Sequence, residues 1–199
     1  MPKTPGAKTV QLAVKTDPKW VRVITDNFDE FLADHADCER KAAAMAMSFV
    51  AKYPDRAEIL PPIIDLALEE LRHFKDVYLL MRRRGVPLAE AAVNDPYVNA
   101  LLALCRHGRN ERLLDRLLVL SIVEARGAER FRIVAAALKE PELKAFYRRL
   151  YSAEARHGNL FVNLARRYFD DGTIDGRLEE LVTEEACIIR SLKWRPSLH

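Results

Sequence analysis

Apolar residues recur at steps of three and four through four long stretches of this chain, and each stripe is broken near its middle by a glutamate or a Glu-x-x-His pair. That spacing is the period of an amphipathic helix. The first stretch runs from about Asn27 to Tyr53, turns Phe28, Leu32, His35, Glu39, Ala42, Ala46 and Phe49 to one side, and is stopped by Pro54. The second follows Pro61-Pro62, from about Ile63 to Arg84, with Gly85 placed as a C-terminal cap. The third covers about Glu111 to Leu138. The fourth starts at Pro141 and reaches about Phe169, where Asp170-Asp171-Gly172 ends it. Between the second and third lies a long connection over 85–110, with a short helix near Val98–Cys105; a fifth, shorter helix over 176–192 turns Leu178, Leu181, Glu185 and Ile188 inward. Residues 1–16 read as a flexible arm, and Asp17-Pro18 as a helix opening that leaves room for a short helix before the first long one. Alternating strand patterns with Asn-Gly or Asp-Gly turns are missing. The expected fold is therefore all-α: one domain over 1–199, a four-helix bundle with a long crossover between helices two and three and a short C-terminal helix.

Composition narrows the function classes. A chain of 199 residues, 49% hydrophobic, buries a full core without staples, and 7 glycines and 10 prolines exclude collagen-like and low-complexity chains. No apolar run approaches the ~18 residues of a membrane span. The opening Met-Pro-Lys-Thr-Pro-Gly-Ala-Lys lacks the apolar core of a signal peptide. Cys38, Cys105 and Cys187 form neither a disulfide framework nor a zinc ribbon. A cytoplasmic protein without membrane contact is expected. The formal charge of +3 permits a nucleic-acid partner without demanding one.

The chemistry is carried by what breaks the stripes: Glu39 on the first helix, Glu70 and His73 on the second, Glu124 on the third, Glu154 and His157 on the fourth. Four carboxylates at one level of a buried face would repel one another severely and cost too much to keep charged, unless positive charge sits between them. Two divalent metal ions would supply it. In Glu-x-x-His both side chains share one helix face and reach one centre. With 16 Glu and 5 His, random placement would yield about 0.4 such pairs. The chain has two, in internal register: Glu39 to Glu124 is 85 residues, and Glu70 to Glu154 and His73 to His157 are each 84. One glutamate from each of two helices and a Glu-x-x-His from each of the other two is the ligand set of ferritin-like di-metal bundles, and carboxylates with two imidazoles suit iron or manganese. Glu69, four residues before His73, is an alternative to Glu70, which the stripe favours.

Around these positions the segments Cys38-Glu39-Arg40-Lys41-Ala42, Glu69-Glu70-Leu71-Arg72-His73-Phe74, Glu124-Ala125-Arg126 through Glu129-Arg130-Phe131, and Ser152-Ala153-Glu154-Ala155-Arg156-His157 resemble the tRNA 2-methylthio-N6-isopentenyladenosine hydroxylases, from about Trp20 to Glu185. The resemblance implies a ferritin-like non-haem di-iron monooxygenase that uses O2 and electrons from a donor protein or reductant. Its substrate would be the isopentenyl group of a hypermodified adenosine beside the tRNA anticodon. Glu39, Glu70, His73, Glu124, Glu154 and His157 would be the ligands of two iron ions. An iron-storage protein of the ferritin type and a small-molecule di-iron oxidase or peroxidase are the competing classes for such a bundle.

Other residues take secondary expectations. Ala42, Ala43, Ala46, Gly127 and Ala128 place small side chains near the candidate ligands, for close helix packing or for a cavity that takes a five-carbon chain. Candidate phosphate contacts are Arg82, Arg83, Arg84, Arg106, His107, Arg109, Arg112, Arg148, Arg149, Arg166, Arg167, Lys193 and Arg195, each also readable as an ordinary surface or helix-end charge. His35, one turn before Glu39, is either a hydrogen-bond partner of that carboxylate or a histidine satisfied elsewhere in the core. Cys38 reads as core filling, and inward-facing Glu185 as a partner for a bundle arginine.

Overall fold

A computed structural model describes residues 10–90 and 93–199, and among them it contains helices and no strands. In chain order these are α1 (Trp20–Asp26), α2 (Phe28–Lys52), α3 (Leu60–Arg84), α4 (Pro96–Ala103), α5 (Arg109–Ala137), α6 (Pro141–Ala165) and α7 (Asp171–Ser191). α2 packs along α3 and α5 along α6, so the bundle is two helix hairpins set against each other, joined by the crossover that carries α4. This is the all-α, four-helix architecture with a long second-to-third connection expected from the stripes.

Local chemistry sets the boundaries. Gly85 takes the left-handed conformation at φ 71° that ends α3, and Val86 N–H closes back onto the Met81 carbonyl at 3.0 Å. Pro96 occupies the first turn of α4, where Asp95 accepts from the Val98 amide at 3.0 Å. Pro61 and Pro62 lie inside the first turn of α3 rather than ahead of it, where proline's missing N–H costs nothing. The last boundary departs furthest from expectation. α6 ends at Ala165 rather than near Phe169, and α7 opens at Asp171 rather than 176. Asp170 accepts from the Thr173 amide at 2.9 Å and the Thr173 hydroxyl at 2.6 Å, a cap strong enough to carry Gly172 and Gly176 into the helix despite roughly 1 kcal/mol each of helical penalty.

Of the flexible arm expected over 1–16, residues 1–9 lie outside the described residues. Residues 10–16 run against the bundle: Val10 is buried, Thr16 N–H and Oγ1 donate to Glu129 at 3.0 and 2.7 Å, and the Val14 carbonyl accepts from Arg126 at 2.8 Å. α7 covers α4 and α5, and α1 braces α5 and α2. The core divides at the level of the polar side chains. Phe49, Ile63, Leu117 and Phe161 belong to the larger cluster, while Phe31, Phe131 and Tyr147 fill the opposite end.

Candidate metal centre

All six side chains singled out in the stripes meet at mid-bundle. One donor atom each from Glu39, Glu70, His73 and Glu154 lie within 4.8 Å of one another, and so do donors from Glu70, Glu124, Glu154 and His157. Glu70 and Glu154 belong to both groups. The two imidazoles present Nδ1 to the carboxylates: His73 Nδ1 is 3.2 Å from Glu70 and 3.6 Å from Glu39, and His157 Nδ1 is 2.8 Å from Glu70 and 3.4 Å from Glu154. Their Nε2 atoms turn outward to Glu69, at 3.2 Å from His157 and 3.9 Å from His73, and Arg156 holds Glu69 at 2.8 Å. Glu69 therefore stands behind the histidines and belongs to neither donor group.

The electrostatics show what the cluster is suited to hold. Burial, and then neighbouring carboxylates, push Glu39 and Glu124 well above the ordinary carboxylate range. Burial would raise Glu70 too, but the imidazoles of His157 and His73 close beside it outweigh that and hold Glu70 at about 2. The same contacts overcome the burial that would lower the imidazoles, and lift His73 to about 10 and His157 to about 11. Four carboxylates at this level thus call for positive charge between them. Hydrogen bonding within the cluster does not meet that demand: Glu70 Oε1 and both ring nitrogens of His157 are buried without an aligned hydrogen bond, although Glu70 and His157 approach to 2.8 Å. Orphaned donors converging on a common centre, with oxygen and imidazole nitrogen in this ratio, fit a pair of divalent cations.

His35 is fully buried and is the hydrogen-bond partner of Glu39, at 2.7 Å from Nε2, with the Tyr147 hydroxyl 3.3 Å from Nδ1. Burial holds His35 down at about 3, so it is neutral at physiological pH. With Glu39 ionised, Nε2–H donates to Glu39 and Tyr147 O–H donates to Nδ1. Glu185 meets its expected arginine, Arg126, at 2.7 Å with both side chains fully buried, and also accepts from Tyr97 at 2.9 Å.

A cavity of about 330 Å³ opens onto the cluster, with Glu39, Glu70, Glu124 and Glu154 at its inner end. Of the five small residues, Ala42, Ala46 and Gly127 line it and Ala43 and Ala128 do not. A Cβ on Gly127 would meet only Glu154 Cγ at 3.9 Å, so this glycine keeps space open rather than permitting close packing. Gly158 is the packing glycine: its Cβ would fall 3.3 Å from the Ser121 carbonyl on α5. Met45, Leu66, Leu120 and Phe161 make the walls apolar, and Lys41, Asn94, Asp95, Asn99 and His199 contribute polar groups. Cys38 also lines the cavity, with its thiol 3.7 Å from Asp34.

None of the thirteen basic residues named from the sequence lines this cavity. Among the described residues, Lys41 is the only lysine or arginine that does, and it is tied to Asp37 at 2.9 Å and to the Val93 carbonyl at 3.0 Å. Arg84, Arg106, Arg109 and Arg166 are paired with Asp29, Asp115, Asp55 and Asp171, and Arg167 lies 3.7 Å from Glu58. Arg82, Arg83, His107, Arg112, Arg148, Arg149, Lys193 and Arg195 are exposed, Arg149 lying over the Phe146 ring. The cavity wall that sequence reading missed comes from α4 and from Leu198 and His199, segments far apart in the chain; the Asp95-Pro96 helix start was its one local signal.

Comparison with known proteins adds three findings. The model of the family described as tRNA-(MS[2]IO[6]A)-hydroxylase (MiaE) matches residues 5–199. The chain is 36% identical over 180 residues to the tRNA 2-(methylsulfanyl)-N(6)-isopentenyladenosine(37) hydroxylase of Pseudomonas putida, spanning 90% of this chain and 87% of that one. It is 26% identical over 201 residues to the protein of the same name from Salmonella typhimurium, spanning 76% and 74%. Among solved structures it superposes with a TM-score of 0.88 on a Synechococcus chain described as protein 43 with aldehyde deformylating oxygenase activity, 34% identical, over 94% of both chains.

Proposed function

Since the chain belongs to the tRNA-(MS[2]IO[6]A)-hydroxylase family, we propose that it hydroxylates the isopentenyl group of 2-methylthio-N6-isopentenyladenosine next to the tRNA anticodon. The observation that carries this reading is the placement of the Glu/His cluster at the inner end of an apolar cavity, in a chain matched to that family over nearly its whole length. Glu39, Glu70, His73, Glu124, Glu154 and His157 would hold two iron ions. Such a centre would supply O2 activation and pass on the reductant's electrons for inserting oxygen into an allylic C–H bond. In the overall balance one oxygen atom enters the substrate and the other leaves as water, with two electrons and two protons from an external reductant. The protein's own part is positioning and exclusion. Ala42, Ala46 and Gly127 leave room for the five-carbon chain, and the apolar walls keep water from it. Neutral His35 fixes the orientation of Glu39 by donating to one of its oxygens.

An anticodon-loop base is single-stranded and can be turned out of its stack into such a cavity. Exposed Arg82, Arg83, Arg112, Arg148, Arg149, Lys193 and Arg195 remain as candidates for RNA phosphates, and Lys193 and Arg195 flank His199 of the cavity wall. No helix among the described residues is long and apolar enough to cross a membrane, in keeping with a cytoplasmic enzyme acting on tRNA. The 34% identity to a chain described by an aldehyde deformylating oxygenase activity favours a second reading, oxidation of a small apolar molecule in the same cavity. Nucleoside analysis of tRNA from cells with and without the gene separates them. Loss of the hydroxylated nucleoside with accumulation of its isopentenyl precursor supports the first reading; an unchanged nucleoside profile refutes it. Iron near two per chain, lost in Glu154→Ala, tests the ligand set.

A further inference from the structure

The segment after α7 turns back across the bundle and builds part of the cavity wall. Leu198 is buried; its N–H donates to Asp34 on α2 at 2.7 Å, and its carbonyl accepts from Arg130 on α5 at 2.6 Å. His199 stacks flat on Tyr97 of α4, with ring centroids 5.1 Å apart and planes 10° from parallel. Its Nδ1 sits 3.0 Å from Asp95 Oδ2, while the other Asp95 oxygen caps α4. Tyr97 is in turn anchored by Glu185. A side chain only 7% exposed and held this firmly, in a wall facing the candidate metal centre, is over-determined for a mere surface cover.

The hydrogen bond to Asp95 has a chemical consequence. A carboxylate at Nδ1 requires the proton there, so the neutral ring has a bare acceptor at Nε2, which has no hydrogen-bond partner among the described residues. Adenine alkylated at N6 carries a single exocyclic N–H, on the atom that bears the alkyl chain. If that chain enters the apolar part of the cavity, the N–H is carried in beside it and needs an acceptor once taken from water. We propose that His199, oriented by Asp95 and Tyr97, is a substrate-reading residue whose Nε2 accepts the N6–H of the N6-alkylated adenine. The inference rests on the tRNA-hydroxylase reading and adds to it a specificity-determining residue. His199 takes no part in the oxygen chemistry; it distinguishes a secondary N6 amine from one without a hydrogen.

The test is a binding cycle on the full-length protein under anaerobic conditions, by fluorescence anisotropy with anticodon stem-loop RNAs. Three RNAs are compared: unmodified adenosine, 2-methylthio-N6-isopentenyladenosine, and the same nucleoside with a methyl group replacing the N6 hydrogen. Wild type should prefer the isopentenylated RNA over the unmodified one and lose about 5- to 10-fold in affinity when the N6 hydrogen is replaced, as for one buried hydrogen bond. His199→Ala should lose the same factor on the isopentenylated RNA and become indifferent to N6 methylation. His199→Gln, which restores an acceptor, should recover part of the discrimination. Full retention of the N6–H preference by His199→Ala overturns the inference and leaves the hydroxylase reading standing. A wild type without preference for the isopentenylated RNA sinks that reading, and the inference with it.

Discussion

Glu185→Gln should destabilise the fold substantially, although Glu185 lies on α7 and outside both donor groups. Its carboxylate and the Arg126 guanidinium are both fully buried and 2.7 Å apart, and Tyr97 donates to the same oxygen at 2.9 Å. Breaking a buried ion pair from one side typically costs about 3–5 kcal/mol, because the remaining charge is left without compensation. Arg126 keeps Glu129 and the Val14 carbonyl, so the lower end applies, about 3 kcal/mol. At roughly 2–4 °C per kcal/mol for a domain of this length, the melting temperature should fall by about 6–12 °C. Far-UV circular dichroism melts of Glu185→Gln, Arg126→Met and Glu185→Gln/Arg126→Met complete the cycle. The double variant should lose far less than the sum of the two singles, since it removes both charges. A single variant melting within about 2 °C of wild type would show that the pair does not lock α7, α4 and α5 together.

Three further outcomes follow from the geometry. Ala46→Phe, which projects a ring into the cavity, should abolish turnover of isopentenylated tRNA while leaving the affinity for unmodified tRNA unchanged; full turnover would remove the cavity from the mechanism. Asp115 is fully buried and bound by Arg106 at 2.8 Å and Arg177 at 3.0 Å; burial raises its pKa, but these hydrogen bonds win and hold it below the ordinary value. A depressed folded-state pKa adds stability above the unfolded value that is lost as pH falls through the folded one, so Asp115→Asn should cost about 2 kcal/mol at pH 7 and progressively less below about pH 4 in urea titrations. Affinity for tRNA should fall steeply with added salt if the exposed arginines meet phosphates, and a flat response would exclude that role.

The bundle and the six-residue cluster were legible because both rest on short-range periodicity. Stripes of three and four residues set which face is inward, and an 84-residue repeat brings two Glu-x-x-His pairs to one level. The preference for Glu70 over Glu69 followed from the same stripe: one residue of rotation puts Glu69 behind the imidazoles instead of among the carboxylates. The α6–α7 boundary was misread because Gly172 looks like a stop locally, whereas the Asp170–Thr173 cap decides the outcome. The basic surface was over-read. Arg84, Arg106 and Arg109 look free along the chain, but their acidic partners Asp29, Asp115 and Asp55 are brought up by folding, in two of the three cases from more than fifty residues away. The wall formed by α4 and His199 joins residues 104 apart in sequence, and no periodicity reports a contact of that range.

Because Glu70 and Glu154 each belong to both donor groups, the centre cannot be divided into independent halves. Glu39 and Glu124 each serve one group alone, so neutralising either would leave the other group's donors complete and open a route to a mononuclear variant. Neutralising Glu70 or Glu154 strips both positions together. A redesign of this scaffold for one-metal chemistry starts from a side chain confined to one donor group: Glu39 or His73 on one side, Glu124 or His157 on the other.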